Sequence, residues 1–380
     1  MVPMQKITKD PMFRFLAILS IAATVGLQAW RTLFNNFAVE IVHLEGNHIG
    51  IIQSVREIPG FLALLVIYII LIIKEHRLSA LSIAILGFGV GITGVFPSYT
   101  GLIATTILMS FGFHYFETTN QSLTLQYFDK NTSPLVIGKL RSYGAAANIS
   151  VGISIYFITY ILSYKATFGL IGFVIVTVGL WGILQNPTKD GLPPQHKKMI
   201  FRKKYWLYYF LTFMAGARRQ IFIAFAVFLL VIKFEFSIQE ITLLFIINNV
   251  INYFLNPLIG KAIIRFGERK VLSLEYSSLV MIFIGYAFVE SKMIIATLYV
   301  LDHIFFNFSM GIRTYFQKIG DPKDISPSMA VGFTINHIAA VIIPALGGLM
   351  WILDYRIPFI AGAVMSAVSL LFVQFIRSTK

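Results

Sequence analysis

Two arginines, Arg31 and Arg219, interrupt long apolar stretches, where an ionisable group is costly and usually meets a partner or a water-filled cavity. A planar guanidinium binds phosphate or carboxylate with two parallel hydrogen bonds, so an anion clamp is one reading. The other is that each arginine is neutralised by an interior acid and serves packing. His114 and Glu117 lie three residues apart on one helical face, which Gln121 continues, and Asp302, His303 and Asn307 form a similar group further along. A carboxylate in a low-dielectric cavity can titrate near neutral pH, making Glu117 and Asp302 candidate proton carriers. A permanent Arg–Glu and Arg–Asp brace is the competing reading. Arg56 and Glu57 form either a gate pair or a locally neutralised one. Glu275 reads as the counter-ion of Arg269 and Lys270, His337 as a hydrogen-bonded core histidine, and nothing decides the orientation of Arg218.

The elements that carry these residues follow from composition. Of 380 residues 57% are apolar and 13% charged, with a mean hydropathy of +0.77. Soluble domains carry about 25% charged residues, so an all-α integral membrane protein is expected. A membrane helix needs roughly 20 apolar residues. Such runs fall at about 13–39, 50–73, 79–98, 100–128, 136–163 and 166–184, and again at about 205–232, 238–264, 271–290, 292–316, 327–352 and 357–376. These are twelve transmembrane helices. The first run is too long for a cleaved signal core of about 7–15 residues and reads as a permanent span. Residues 1–184 form a first six-helix bundle and 205–380 a second. Between them, 185–204 is a linker with Pro187, Gly191, Pro193 and Pro194 and the cations Lys197, Lys198, Arg202, Lys203 and Lys204.

Twelve spans place both termini on one side. That side holds 23 of the 31 Lys and Arg; the other holds Lys165, Lys233, Lys292 and Arg356, and Arg31, Arg56, Arg218 and Arg219 lie within spans. Short cytoplasmic loops attract cations, so the termini and linker are expected in the cytoplasm, with the bacterial inner (plasma) membrane as the location. The net charge of +14 then reports topology and implies no nucleic-acid partner. Lipid and a small-molecule substrate are the expected partners, with protons or a counter-anion for coupling, and a monomer is expected. With no cysteine there is no disulfide or thiol chemistry, and no cofactor and no metal ligand are assigned.

The halves repeat. Arg31–Val39 matches Arg219–Val227 at five of nine positions. The same spacing along the chain aligns Tyr127-Phe128 with Tyr315-Phe316, Lys130 with Lys318, Gly144 with Gly332, Asn148 with Asn336 and His114 with Asp302. Two parallel six-helix halves joined by a cytoplasmic linker are the architecture of a rocking transporter.

With these features the chain resembles the major facilitator superfamily (MFS). The clearest motif is Gly260-Lys-Ala-Ile-Ile264-Arg265-Phe-Gly267-Glu268-Arg269-Lys270, between spans 8 and 9. Gly260, Arg265, Gly267, Arg269 and Lys270 match the family pattern of a loop that helps lock the cytoplasmic gate, while Ile264 replaces its acidic residue. Pro344-Ala-Leu-Gly347-Gly348 on span 11 looks like the tail of an antiporter motif that normally belongs to span 5. The resemblance implies two six-helix bundles related by a pseudo-two-fold axis, with spans 1, 4, 7 and 10 lining a central cavity. It places Arg31, Arg219, His114, Asp302 and His303 as substrate-binding candidates and Glu117 and Asp302 as proton-coupling ones. The arginine placement resembles organophosphate and organic-anion transporters.

The expected function is therefore secondary active transport of a small solute, an organic or phosphorylated anion, by alternating access, in antiport or symport. Proton-coupled drug or multidrug efflux is the first alternative. Divalent-metal export is a weaker one, because adjacent arginines disfavour a cation. No H-E-x-x-H, nucleophile elbow or phosphate-cradling glycine loop is present, so no enzyme is expected.

Overall fold

The computed structural model describes residues 7–44, 46–189, 191–196, 198–236 and 238–376. Lys6, Glu45, Lys197, Arg377 and Lys380, which enter the charge asymmetry or mark the outer side, lie outside the described residues. Each expected span is a helix: α1 (Pro11–Glu40), α2 (Ile51–Ile69), α3 (Glu75–Thr93), α4 (Tyr99–Tyr127), α5 (Ser133–Ile158) and α6 (Tyr164–Leu184). The second half contributes α7 (Lys203–Ile232), α8 (Ile238–Phe266), α9 (Glu268–Phe288), α10 (Lys292–Ile319), α11 (Ile325–Leu353) and α12 (Arg356–Val373). Among the described residues, nine of these are long and apolar enough to cross a membrane. The other three, α4, α5 and α11, have 29, 26 and 29 residues, which is also sufficient length.

The chain forms two compact units. Unit 1 comprises Met1–Asp129, Tyr143–Ile200 and Pro322–Thr334; unit 2 comprises Lys130–Ser142, Phe201–Asp321 and Ile335–Lys380. Each thus takes the first part of one helix, α5 or α11, with the residues just before it, from the opposite half of the sequence.

In unit 1, small residues let α3 lie flush against both neighbours. A Cβ on Gly172 of α6 would stand 2.3 Å from the Cα of Gly91, and one on Gly112 of α4 would stand 2.3 Å from the amide of Leu86. Lipid chains give helices no hydrophobic reason to associate, so such backbone-to-backbone contact is what holds them. Gln195 in the linker accepts from the amide of Ser326 (2.9 Å) and donates to the carbonyl of Pro322 (2.8 Å), while His196 Nδ1 meets Asp324 at 2.7 Å. Ser326 in turn donates to Glu75 at 3.0 Å.

In unit 2, α9 packs most extensively on α12, over a core that includes Phe222, Phe225, Tyr286, Tyr299 and Phe359. Pro257 sits inside α8 and has no N–H to offer Tyr253, one turn earlier. The freed Tyr253 carbonyl accepts the Ser142 hydroxyl at 2.6 Å. Gly138 and Gly260 permit this crossing: a Cβ on either would lie 2.4 Å from a carbonyl oxygen, of Asn256 or Pro134. Unit 1 contains the counterpart. Its α2 tightens into a 3-10 turn at Leu62–Leu65, and the amide of Leu64 donates to Thr334 Oγ1 at 3.0 Å.

These matching devices correct the register of the repeat. Ser142 and Thr334 are separated by the same length of chain as the first residues of α1 and α7, and as their last residues. That spacing also relates His43 and Glu235, the two non-glycine residues with positive φ (58° and 51°) among those described, and the helix-end bonds Leu44 to Ala38 and Phe236 to Leu230. It is four residues longer than the spacing of Arg31 and Arg219. The sequence match is therefore slipped by close to one helical turn, which keeps the face and changes depth by roughly 6 Å. Arg219 lies that much further from the end of its helix than Arg31 does, and the structural counterpart of Asp302 is Ser110, not His114.

Replacing Ser142 by Ala should lower apparent stability by about 0.6–2 kcal/mol, because the Tyr253 carbonyl has no water to turn to. Ser142→Thr should restore it, measured as the melting temperature of the purified protein. Gly172→Leu should be far more damaging, since its neighbour is backbone; size-exclusion chromatography would show loss of the monodisperse species.

Candidate functional site

Arg31 occupies an unusual face of α1. Gln28, Arg31, Thr32, Asn35 and Asn36 form a polar stripe running toward Glu40, with Arg31, Thr32, Asn35 and Asn36 exposed. Along it Gln28 donates to Thr32 (3.3 Å), Asn36 donates to Glu40 (3.0 Å), and Glu40 accepts the Tyr164 hydroxyl (2.8 Å). The opposite face buries Trp30, stacked on Phe34 at 4.3 Å between centroids. Nine residues separate Arg31 from the end of α1 at Glu40, roughly 14 Å along the helix and well within a hydrocarbon core of about 30 Å.

On α4, His114 is buried, with ring contacts to Phe113 and Phe333, and Glu117 one turn on is half-buried. Arg56 and Glu57 form a neighbouring ion pair at 2.8 Å, closed by a second guanidinium bond of 3.2 Å. This favours local neutralisation, at a point where α2 changes course. The Arg56 guanidinium carbon stands 6.0 Å from the Trp30 ring, and Ser110 donates to the Arg56 carbonyl.

Unit 2 separates the two adjacent arginines of α7, which a helix turns about 100° apart. Arg219 is exposed; Arg218 is fully buried. Arg218 Nη2 lies 3.9 Å from Glu275 Oε1, its guanidinium carbon is 4.4 Å from the Tyr276 ring centroid, and Nη1 donates to Ser369. Glu275 is therefore the partner of Arg218 and not the counter-ion of Arg269 and Lys270, which are exposed. Asp302 is also fully buried, beside the Tyr286 hydroxyl and within the field of Arg218. His303 packs against Phe222 and Tyr299, within reach of the Arg219 charge. Immediately after the arginines α7 widens into a π-helical stretch, Phe222–Ala226, a distortion frequent at functional sites. Sequence reasoning missed the Arg218–Glu275 pair. Its signal was the doublet itself, because consecutive charges on one membrane helix cannot share a face.

The loop motif is built differently from a turn with two permissive glycines. Gly267 has φ 80°, which a side chain would strain, and it links α8 to α9. Gly260 lies inside α8 and serves the α5 crossing described above. The acid missing at Ile264 has a neighbour in Glu268, buried and paired with Lys318 at 2.8 Å. Arg265, Arg269 and Lys270 are exposed, Arg265 over the Phe266 ring at 5.2 Å.

Of the expected site residues, Arg31, His114 and Glu117 belong to unit 1 and Arg219, Asp302, His303 and the loop residues to unit 2.

Comparison with known proteins places this geometry in a family. No curated protein matches the sequence. Solved structures match along almost the whole chain. The human organic anion transporter MFSD10 (TETRAN) is 11% identical with a TM-score of 0.77, over 98% of this chain and 100% of that one. A bacterial homologue of the iron transporter ferroportin, in an outward-facing state, is 13% identical with a TM-score of 0.78, over 96% and 99%. The E. coli fucose:proton symporter FucP is 13% identical with a TM-score of 0.73, over 97% and 98%. At these identities the likeness is one of fold. The family model of the Major Facilitator Superfamily matches residues 14–317. Its members are transporters and not enzymes, and they act on small molecules across a membrane that they span many times. This chain, with its twelve helices and its repeat, belongs to the Major Facilitator Superfamily.

Proposed function

We propose that the protein moves a small organic or phosphorylated anion across the membrane by alternating access. The observation that carries this reading is Arg31, an exposed cation within the polar stripe of α1 and deep in the thickness of the membrane. Lipid does not tolerate such a stripe, so it belongs to a water-filled path. An exposed guanidinium in that path attracts an anion and repels a cation, which favours an anionic substrate over a metal or a cationic drug. In unit 2, Arg219 is likewise an exposed cation within a span, on the corresponding face of α7. Half-buried Glu117, three residues from His114, is the proton acceptor for coupling. His303, within reach of the Arg219 charge, adds a hydrogen-bonding group. The charge asymmetry orients both termini and the 185–204 linker toward the cytoplasm, with 1–184 and 205–380 as the rocking halves of a monomer. The exposed cations of the α8–α9 loop rest against anionic headgroups on that side.

In proteoliposomes, Arg31→Ala and Arg219→Ala should each reduce uptake of a phosphate ester or dicarboxylate at least tenfold while the melting temperature stays near that of wild type. Full uptake by both variants removes this site. A thermal-shift screen of phosphate esters, dicarboxylates, dyes and divalent metals should show stabilisation by an anion, with about 2.7 kcal/mol at a hundred times its dissociation constant. Stabilisation by dyes or metals alone would transfer the site to a different cargo. Glu117→Gln should leave binding intact and flatten the pH dependence of uptake; an unaltered profile would exclude Glu117 as the coupling group.

A further inference from the structure

We propose that Glu275 and Asp302 hold one exchangeable proton between them, beside Arg218, in an occluded site inside unit 2. Arg218, Glu275 and Asp302 are each 0% exposed. They come from three helices, α7, α9 and α10, and α12 adds Ser369. Among the described residues neither carboxyl oxygen of Glu275 has a hydrogen-bond partner. Asp302 has only the Tyr286 hydroxyl beside it, and the Tyr276 hydroxyl only the Arg218 guanidinium, both short of good hydrogen-bond geometry. The nearest charge contact is the 3.9 Å approach of Arg218 to Glu275.

The proton follows from charge balance. Two ionised carboxylates and one guanidinium leave an uncompensated negative charge in a sealed, apolar interior, which costs several kcal/mol. One bound proton makes the group neutral and turns an orphaned acceptor into an O–H donor. One of the two carboxyls carries that proton. It arrives from water when the site opens and leaves to water when it opens again, sitting meanwhile on one carboxyl oxygen.

The other charges nearby bias this site without neutralising it. Arg141, from the Lys130–Ser142 segment, acts on Glu275, but it is half-buried and already donates to the carbonyl of Asn307 at 2.8 Å. Arg219 is exposed, and His303 lies in its field rather than against the carboxyls. Tyr299, on the helix of Asp302, brings only a neutral ring. Arg141 nonetheless has a particular consequence. It sits one residue from Ser142, the hydroxyl that holds this end of α5 on α8. Seated there, the Arg141 guanidinium favours the ionised form of Glu275.

The other bundle packs the equivalent place without a charge. In the register set by the first residues of α1 and α7 and of α3 and α9, and by the last residues of α4 and α10, Arg218, Glu275 and Asp302 correspond to Gly26, Ser82 and Ser110. All three are buried in unit 1. Proton binding is independent of what the protein carries; only its coupling to transport rests on the transporter reading above.

The test uses the full-length protein in detergent, with melting temperature followed against pH. The native site keeps a proton that ordinary carboxyls of the unfolded chain have released, so stability must fall as pH rises above the ordinary carboxyl range of about 4, up to tenfold in the folding equilibrium per pH unit. Glu275→Gln and Asp302→Asn each leave a neutral pair with Arg218. Both should stay folded and lose this slope, together with the infrared band of a protonated carboxyl. Arg141→Gln should keep the slope and move it to higher pH. The double neutralisation should be destabilised, because Arg218 is then alone. A slope unchanged in both single variants would overturn the proposal. So would a large destabilisation of both without any change of slope, the mark of a permanent ionised brace. Wild-type melting that responds to sodium at fixed pH and ionic strength, with the response lost in the variants, would identify a sodium site instead. Anion uptake by a wild-type protein that lacks the slope would remove the proton site and leave the transporter reading standing.

Discussion

Within a bilayer a backbone N–H or C=O has no water to fall back on, and the helix breaks of this protein are organised around that constraint. Pro257 removes one bond from α8 and the 3-10 turn of α2 loosens the pattern around Leu64. Both defects are answered by a hydroxyl, Ser142 for the Tyr253 carbonyl and Thr334 for the Leu64 amide. Each hydroxyl comes from the opposite half of the sequence, on the segment of α5 or α11 that its unit takes in. A solution paired in this way, at equivalent places in the two halves, is what a duplicated bundle produces when each copy inherits the same weak point.

The two bundles then diverge in their interiors. Unit 1 fills the space between α1, α3 and α4 with small and apolar residues, and Gly172, Gly91 and Gly112 bring helix backbones together. Unit 2 places Arg218, Glu275 and Asp302 in the corresponding volume, with tyrosine hydroxyls around them. Close packing of small side chains is enough to hold such a bundle, as unit 1 demonstrates. The charges in unit 2 are an addition to that plan, maintained against a desolvation cost that the fold alone does not explain.

The twelve helices were legible because membrane thickness sets a length and low charge sets a composition, and both survive in a single sequence. The repeat was legible as a pattern, but its register was not. The Arg31 and Arg219 motifs match at one spacing, whereas helix ends, positive-φ residues and hydroxyl staples agree at another, one turn longer. A slip of one turn preserves hydrophobic periodicity, so the pattern could not reveal it. Glu275 was misassigned for a related reason. Arg269 and Lys270 are near in sequence, while Arg218 is near only once α7 and α9 pack together. Gly260 reads as a turn residue until α5 is seen crossing α8 at Pro134.

Neighbouring positions on a helix diverge by about 100°, and that angle sets what the Arg218–Arg219 doublet can do. Arg219 points to an exposed face and Arg218 to the sealed carboxyl pair, so one turn of α7 carries both the second proposed substrate cation and the counter-charge of the proposed proton site. The π-helical stretch Phe222–Ala226 begins three residues later, a wider turn of the kind frequent at functional sites. A rotation of a few tens of degrees there would move both guanidinium groups together. An anion drawn to Arg219 would bear on the same turn that sets how firmly Glu275 is held ionised. The doublet thus ties the proposed substrate cation and the proposed proton site to a single helical turn.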